Sequence, residues 1–187
     1  AAAFAYLSVC EMDKVSIYVV HGRACDEVIS GMLGKEAYLA KIGVLNDIVF
    51  DGDSFLGDAV LPSKVGYGDG LSVLISDFLT DNDYESAIDY LASKKRDILC
   101  VQVLSKEETA PKARGKLHYF DCEDIQKTYR KNITREIIRA YKQALEYATG
   151  RIRNYCLSRG GEYMLVSAEE PVGEIFFKRL VDMEVVK

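Results

Sequence analysis

The chain has 187 residues, of which 49% are hydrophobic and 28% are charged, and its net charge is -5. A chain of this length and composition suits one ordinary globular domain over residues 1–187, with a core large enough to need no disulfides. The negative charge argues against general nucleic-acid binding, and no apolar run approaches the roughly 18 residues of a membrane span. We expect a cytoplasmic domain, with any membrane anchor of the parent protein upstream of Ala1.

The cysteines favour free thiols over a disulfide framework or a zinc site. Their number is odd, no two of them form a CxxC pair, and most stand singly in apolar stretches, which is typical of buried thiols in a reducing compartment. They are Cys10, Cys25, Cys100, Cys122 and Cys156.

Hydrophobic patterning predicts helices that alternate with strands. Helices are expected over residues 1–12, 35–48, 54–61, 84–93 and 127–159, with a last one opened by Pro171. Strands are expected over residues 15–20, 25–29, 71–76, 98–104, 117–120 and 162–166. This alternation predicts an α/β fold with a mostly parallel sheet. The strands at 15–20 and 71–76 are apolar on both faces, which is typical of central strands.

The helix predicted over residues 127–159 is amphipathic and basic. It carries nine basic and two acidic residues, a net charge of +7. Its apolar stripe runs from Ile133 to Tyr155, and its opposite face carries a row of cations. That row is either a solvated face or a docking surface for an acidic partner. The candidate partner-binding residues are Arg135, Arg139 and Lys142.

Two acidic clusters follow apolar segments. Asp77 comes directly after the strand at 71–76, with Asp81 and Asp83 behind it, and Asp51 and Asp53 follow another apolar segment. In open parallel sheets, ligands bind outside the carboxyl ends of the strands. Carboxylate and hydroxyl oxygens are the ligands that Mg²⁺ prefers. Asp77 is therefore a candidate metal ligand, with a turn residue or a helix cap as the alternative.

Several stretches follow one another in a characteristic order. They are Asp13-Lys14-Val15, SFLGDAV at 54–60, GLSVLISDF at 70–78, VQVLSKEE at 101–108 and GKLHYFDCED at 115–124. In this order they resemble the von Willebrand factor A-like domain of the bacterial "domain of unknown function 58" family, over nearly the whole chain. The resemblance implies a Rossmann-like, mostly parallel sheet with helices on both faces. One departure is Glu123-Asp124, where the family has an acidic residue followed by Thr.

The resemblance also implies a metal-ion-dependent adhesion site, which the family builds from three loops. Asp77 matches the aspartate of the third loop, and Ser54 matches the threonine of the second. The Asp-x-Ser-x-Ser motif of the first loop is absent and is expected upstream of the first helix. The chain is therefore expected to carry half a site for Mg²⁺ or Mn²⁺ and to hold no metal tightly. Asp77 and Ser54 are expected at one edge of the sheet.

The sequence leaves three hypotheses for the function of this protein. The resemblance implies a non-enzymatic protein-binding module that works with a MoxR-type AAA+ ATPase in the assembly or maturation of other proteins. A metal-free structural or assembly domain is the alternative. A third hypothesis is a Mg²⁺-dependent phosphatase like the haloacid dehalogenases, with Asp51 as nucleophile and Asp53 as acid/base in IVFDGDSF, although Phe55 replaces the expected threonine.

The absent first strand would lie between the strands at 15–20 and 71–76. An open gap would leave several backbone groups unpaired, at a cost of roughly 1–3 kcal/mol each where they are buried. Either these two strands pair directly, or a strand from another chain fills the gap. We expect the second route and hence a homo-oligomer.

Overall fold

The helices and strands alternate along the chain. The structure is a computed structural model, and it describes residues 1–49, 54–61, 69–79, 84–112, 115–120 and 128–176. The helices are α1 (Ala2–Cys10), α2 (Gly34–Lys41), α3 (Leu56–Val60), α4 (Tyr84–Ser93), α5 (Lys106–Thr109), α6 (Arg135–Ser158) and α7 (Val172–Glu174), and a 3₁₀ helix spans Ile42–Asp47. The strands are β1 (Val15–His21), β2 (Ala24–Met32), β3 (Leu71–Ser76), β4 (Asp97–Leu104), β5 (Gly115–Phe120), β6 (Thr128–Ile133) and β7 (Glu162–Ser167).

A parallel sheet of three strands, in the order β3-β4-β7, confirms the predicted α/β class. The middle strand, β4, is almost wholly buried because it has a neighbour on each side and helices flank the sheet. Helix α6 packs against β4 and β7. The register pairs Ser76 with Gln102 and Leu104 with Ser167, so the carboxyl ends of the three strands meet at one edge.

The chain forms two compact units, Ala1–Val65 with Asn82–Tyr90 and Gly66–Asp81 with Leu91–Lys187. The parallel sheet belongs to the second unit. Helix α4 contributes residues to both, and the prediction of one domain over residues 1–187 stays a prediction.

The first unit is built on a hairpin. Residues 15–20 form a strand as predicted, but the expectation that this strand is a central one is wrong for the described residues. They belong to β1, which pairs antiparallel with β2 and is only partly buried. The reason is the turn at Gly22 and Arg23, which lies between the paired residues His21 and Ala24. Gly22 has a φ of 52°, which suits the first central position of a two-residue hairpin turn. The strand predicted over residues 25–29 is correspondingly longer.

The long helix begins later than its pattern predicts. Residues 128–133 form β6, which pairs antiparallel with β5, and α6 begins at Arg135. The hydroxyl of Thr134 caps the helix by accepting a hydrogen bond of 3.3 Å from the Ile137 amide. Strand-favouring residues such as Thr128 and Ile133, with a partner strand available, outweigh the helical spacing. Ile133, where the predicted apolar stripe begins, and Lys131, a cation of the predicted basic face, therefore belong to β6 and not to the helix.

Smaller departures occur elsewhere. The helix predicted over residues 35–48 becomes a 3₁₀ helix after Lys41, and the one predicted over 54–61 is confined to Leu56–Val60. The helix after Pro171 has only three α-helical residues, Val172–Glu174.

Four cysteines are free thiols, Cys10, Cys25, Cys100 and Cys156. Cys122 lies outside the described residues.

Candidate functional site

Asp77 directly follows β3, at the edge where the three parallel strands end, and its side chain is exposed. Its position after a parallel strand agrees with the sequence prediction. The prediction that this strand is central is wrong for the described residues, since β3 pairs only with β4. The sheet therefore carries a solvent-facing carboxylate at the end of one of its edge strands.

Hydrogen bonds shape the turn that holds Asp77. The Ser76 hydroxyl accepts a bond of 3.1 Å from the Phe78 amide, and Asp77 Oδ1 accepts one of 3.1 Å from the Leu79 amide. Phe78 is buried and has a φ of 52°, a left-handed conformation that is uncommon for a bulky residue. One carboxylate oxygen thus serves the turn, and Oδ2 has no bond to any other described residue.

Gln102 supports this turn from the middle of the sheet. It is fully buried, its Nε2 donates a hydrogen bond to the backbone carbonyl of Asp77, and its Oε1 accepts one from the Tyr163 hydroxyl. Sequence reasoning missed Gln102. The available signal was its position as the single polar residue inside the apolar run ILCVQVL of β4.

Ser54, the second predicted metal ligand, lies in the first unit. It forms a parallel bridge with Gly22, and its half-buried hydroxyl donates to the carbonyl of Val20 at 3.4 Å. Asp77 belongs to the second unit. That Ser54 and Asp77 share one sheet edge stays a prediction.

The described residues supply few donors for a metal. They contain no group of three or more His, Cys, Asp or Glu side chains that could hold an ion. Asp77 offers one carboxylate, and the neighbouring Ser76 hydroxyl already accepts a bond within the turn. Of the six oxygen ligands of an octahedral cation, this set would leave most to water or to other groups. Asp51 and Asp53, the candidate phosphatase residues, lie outside the described residues, as do Asp81 and Asp83.

The first half of α6 presents both charge and apolar surface. Arg135, Arg139 and Lys142 are all exposed, as predicted for the basic face. Beside them, Ile137 is 43% and Tyr141 is 38% exposed. The buried residues of this helix, Ile152 and Cys156, lie in its second half. The exposed face is confirmed, whereas its role as a docking surface stays a prediction.

None of the helices described here is long and apolar enough to cross a membrane.

The fold and this site define an α/β protein whose parallel sheet ends in an exposed carboxylate. No family model and no curated protein matches the chain. Its fold is similar to that of the conserved hypothetical protein BatB from Bacteroides thetaiotaomicron, at 14% identity and a TM-score of 0.50, over 99% of this chain and 86% of that one. An uncharacterized membrane spanning protein from Vibrio fischeri matches 98% of this chain and 82% of its own, at 11% identity and a TM-score of 0.29, which is too low to support an argument.

Proposed function

We propose that this chain is a non-enzymatic protein-interaction module of the von Willebrand factor A type, with Asp77 at its partner-facing edge. The observation that carries the proposal is the exposed Asp77 carboxylate, held in a hydrogen-bonded turn directly after a parallel strand. This edge is where open α/β sheets bind ligands. The likeness of fold to the BatB structure supports the framework.

The metal in this proposal is Mg²⁺ or Mn²⁺, and the chain supplies part of its coordination. Asp77 would give a carboxylate oxygen, and Ser54 a hydroxyl oxygen. Such cations keep several waters and dehydrate reluctantly, so two protein ligands hold them weakly. The remaining ligands would come from an upstream Asp-x-Ser-x-Ser segment and from a carboxylate of the partner. We expect weak metal binding by this chain alone and metal-dependent binding of the partner.

The partner to test first is a MoxR-type AAA+ ATPase from the same genome, in a role in the assembly or maturation of other proteins. The resemblance to the "domain of unknown function 58" family motivates this choice. The exposed cations Arg135, Arg139 and Lys142 give the module a second contact surface, suited to an acidic region of that partner.

The decisive experiment measures binding of the 187-residue chain to the immobilised ATPase, with Mg²⁺ and with EDTA. The variant Asp77→Asn keeps an oxygen that can accept the Leu79 amide but removes the charge, so the turn should persist. We expect binding in Mg²⁺ to weaken at least about tenfold, because a hydrogen bond or ion pair to a charged group contributes about 1.5–3 kcal/mol. Asp69→Asn is the matched control, since Asp69 is an exposed aspartate near the other end of β3. Equal binding by both variants would refute the role of Asp77.

The EDTA arm of this assay and two further measurements separate the two alternative functions. Partner binding that is unchanged by EDTA, with no heat on titration with Mn²⁺, would favour the metal-free assembly domain. Hydrolysis of p-nitrophenyl phosphate with Mg²⁺, abolished by Asp51→Asn, would favour the phosphatase.

The exposed side of β3 supports the proposal of a homo-oligomer. Among the described residues β3 pairs only with β4, so its other side has no described partner strand. Leu71 and Ile75 in β3 are 41% and 42% exposed, and the strand carries no charge that would discourage pairing. We expect sedimentation to show an oligomer that Ile75→Lys dissociates. Leu165→Lys, on the opposite edge strand β7, is the control.

A further inference from the structure

Gln102 is a buried polar side chain in a strand that is otherwise apolar after its first residue, the exposed Asp97. A primary amide is unfavourable inside a protein unless its hydrogen bonds are made. Both ends of this amide are used, one on the carbonyl of Asp77 and the other on the hydroxyl of Tyr163. Asp77 directly follows β3 and Tyr163 lies in β7, and these two strands pair with β4 on its two sides. The three residues therefore form a hydrogen-bonded chain across the sheet, from β7 to the turn after β3.

The donor and acceptor groups of these three residues determine the direction of each hydrogen bond between them. The carbonyl oxygen of Asp77 can only accept, so the Nε2 end of the amide must face it. This places Oε1 of Gln102 toward Tyr163, and the phenol must then donate. Burial raises the pKa of Tyr163 to about 12, which keeps this hydroxyl protonated under ordinary conditions. One arrangement of donors and acceptors satisfies all three groups.

The turn after β3, which accepts the hydrogen bond from Gln102, needs support from outside the turn. Phe78 has a φ of 52°, a conformation that costs free energy for a residue with a side chain and persists only when its surroundings impose it. The bonds within the turn, at the amides of Phe78 and Leu79, are made by exposed or half-buried side chains, with which water competes. The bond from Gln102 comes from the buried side of the sheet and holds the peptide carbonyl directly before Phe78.

We propose that Gln102, oriented by the Tyr163 hydroxyl, is a positioning residue that holds the turn after β3 in one conformation and so presents the Asp77 carboxylate to a partner. The significance of that presentation rests on the proposed function. The hydrogen-bonded support itself does not, because it involves only residues of this chain.

The test is amide hydrogen exchange of Phe78 and Leu79, measured by NMR on the full chain without metal or partner. Gln102→Met has a similar length and lacks both hydrogen bonds, and Tyr163→Phe removes a single hydroxyl. We expect exchange at both amides to accelerate about two- to tenfold in each variant, the factor that corresponds to the net contribution of one hydrogen bond. Tyr155→Phe is the control, since its hydroxyl accepts a bond from Arg159, the residue directly after α6. It should leave both amides unchanged.

The double variant separates positioning from general stability. If Tyr163 acts through Gln102, Tyr163→Phe should have no further effect on these two amides in the Gln102→Met background, and exchange at Ile152 in α6 should be unchanged throughout. Additive effects, or an equal acceleration over the whole unit, would overturn the proposal. Since no ligand is present, loss of partner binding in Asp77→Asn decides the proposed function separately. If amide exchange in the turn accelerates as expected but Asp77→Asn leaves partner binding unchanged, this inference is supported and the proposed function is refuted.

Discussion

Gly161 lies so close to Cys156 that a Cβ atom at position 161 would stand 2.9 Å from Cys156 Sγ. The same atom would lie 3.0 Å from the backbone oxygen of Ile98 in β4. The Cys156 thiol also donates a hydrogen bond of 3.0 Å to the carbonyl of Glu162. The end of α6 is thus packed directly on β4 and on the start of β7, and only a residue without a side chain fits between them.

Gly161→Ala should therefore destabilise the protein by steric conflict. We expect a loss of about 1–3 kcal/mol in the free energy of unfolding, typical of overpacking, because the Ile98 oxygen is backbone and cannot easily move. Urea denaturation measures it. The neighbouring Gly160 is the matched control, since it has a φ of 74° and no atom within 4 Å of its added Cβ. There the cost is conformational, so Gly160→Asn should lose less than Gly160→Ala. Similar stability of Gly161→Ala and the wild type would contradict the close packing.

Thr134→Ala tests where α6 begins. If Thr134 is the N-cap, the change removes the acceptor for the Ile137 amide and costs about 1 kcal/mol. If the helix instead continued through residue 134, alanine would be stabilising, because it is the best helix former. The sign of the change in thermal unfolding temperature decides between these two outcomes. Thr134→Ser, which keeps the hydroxyl, should stay close to the wild type.

Tyr163 should make stability depend on pH in the alkaline range. Burial is the main reason that its pKa rises from 10 to about 12. The folded state holds this proton more tightly than the unfolded state, so the stabilisation is complete below pH 10 and is lost as the pH rises through 12. We expect the free energy of unfolding to fall more steeply over this window in the wild type than in Tyr163→Phe. Parallel curves for the two proteins would show that the phenol is not protected in the folded state.

The exposed cations of α6 should be replaceable without loss of the fold. Reversal of charge at Arg135, Arg139 and Lys142 changes surface positions, each of which usually alters stability by within about 0.5 kcal/mol. Circular dichroism and thermal unfolding should show a folded protein. Binding to the MoxR-type ATPase should weaken, most strongly at low salt, if this face contacts an acidic partner. A triple variant that unfolds would mean that the face is buried.

The elements that the sequence predicts most closely are those whose signal is local. Strand β3 and helix α4 occupy the predicted residues 71–76 and 84–93, and β4 and β7 differ from their predictions by one residue at one end. An apolar run bounded by turn residues, or an apolar stripe at helical spacing, contains this information within a few residues. The position of Asp77 was predictable for the same reason, because it adjoins the strand that places it.

Pairing and the support of the site depended on residues that are distant in the sequence. Residues 128–133 are a strand because β5 is there to pair with them, and β1 is antiparallel because the turn at Gly22 returns the chain as β2. The partners of Gln102 in its two hydrogen bonds lie 25 and 61 residues away. Thus the sequence by itself determined the α/β class and the exposed aspartate after β3. The tertiary structure alone decided which strands are neighbours and what holds that aspartate in place, because hydrogen-bond partners across a sheet are set by packing and leave no local pattern in the chain.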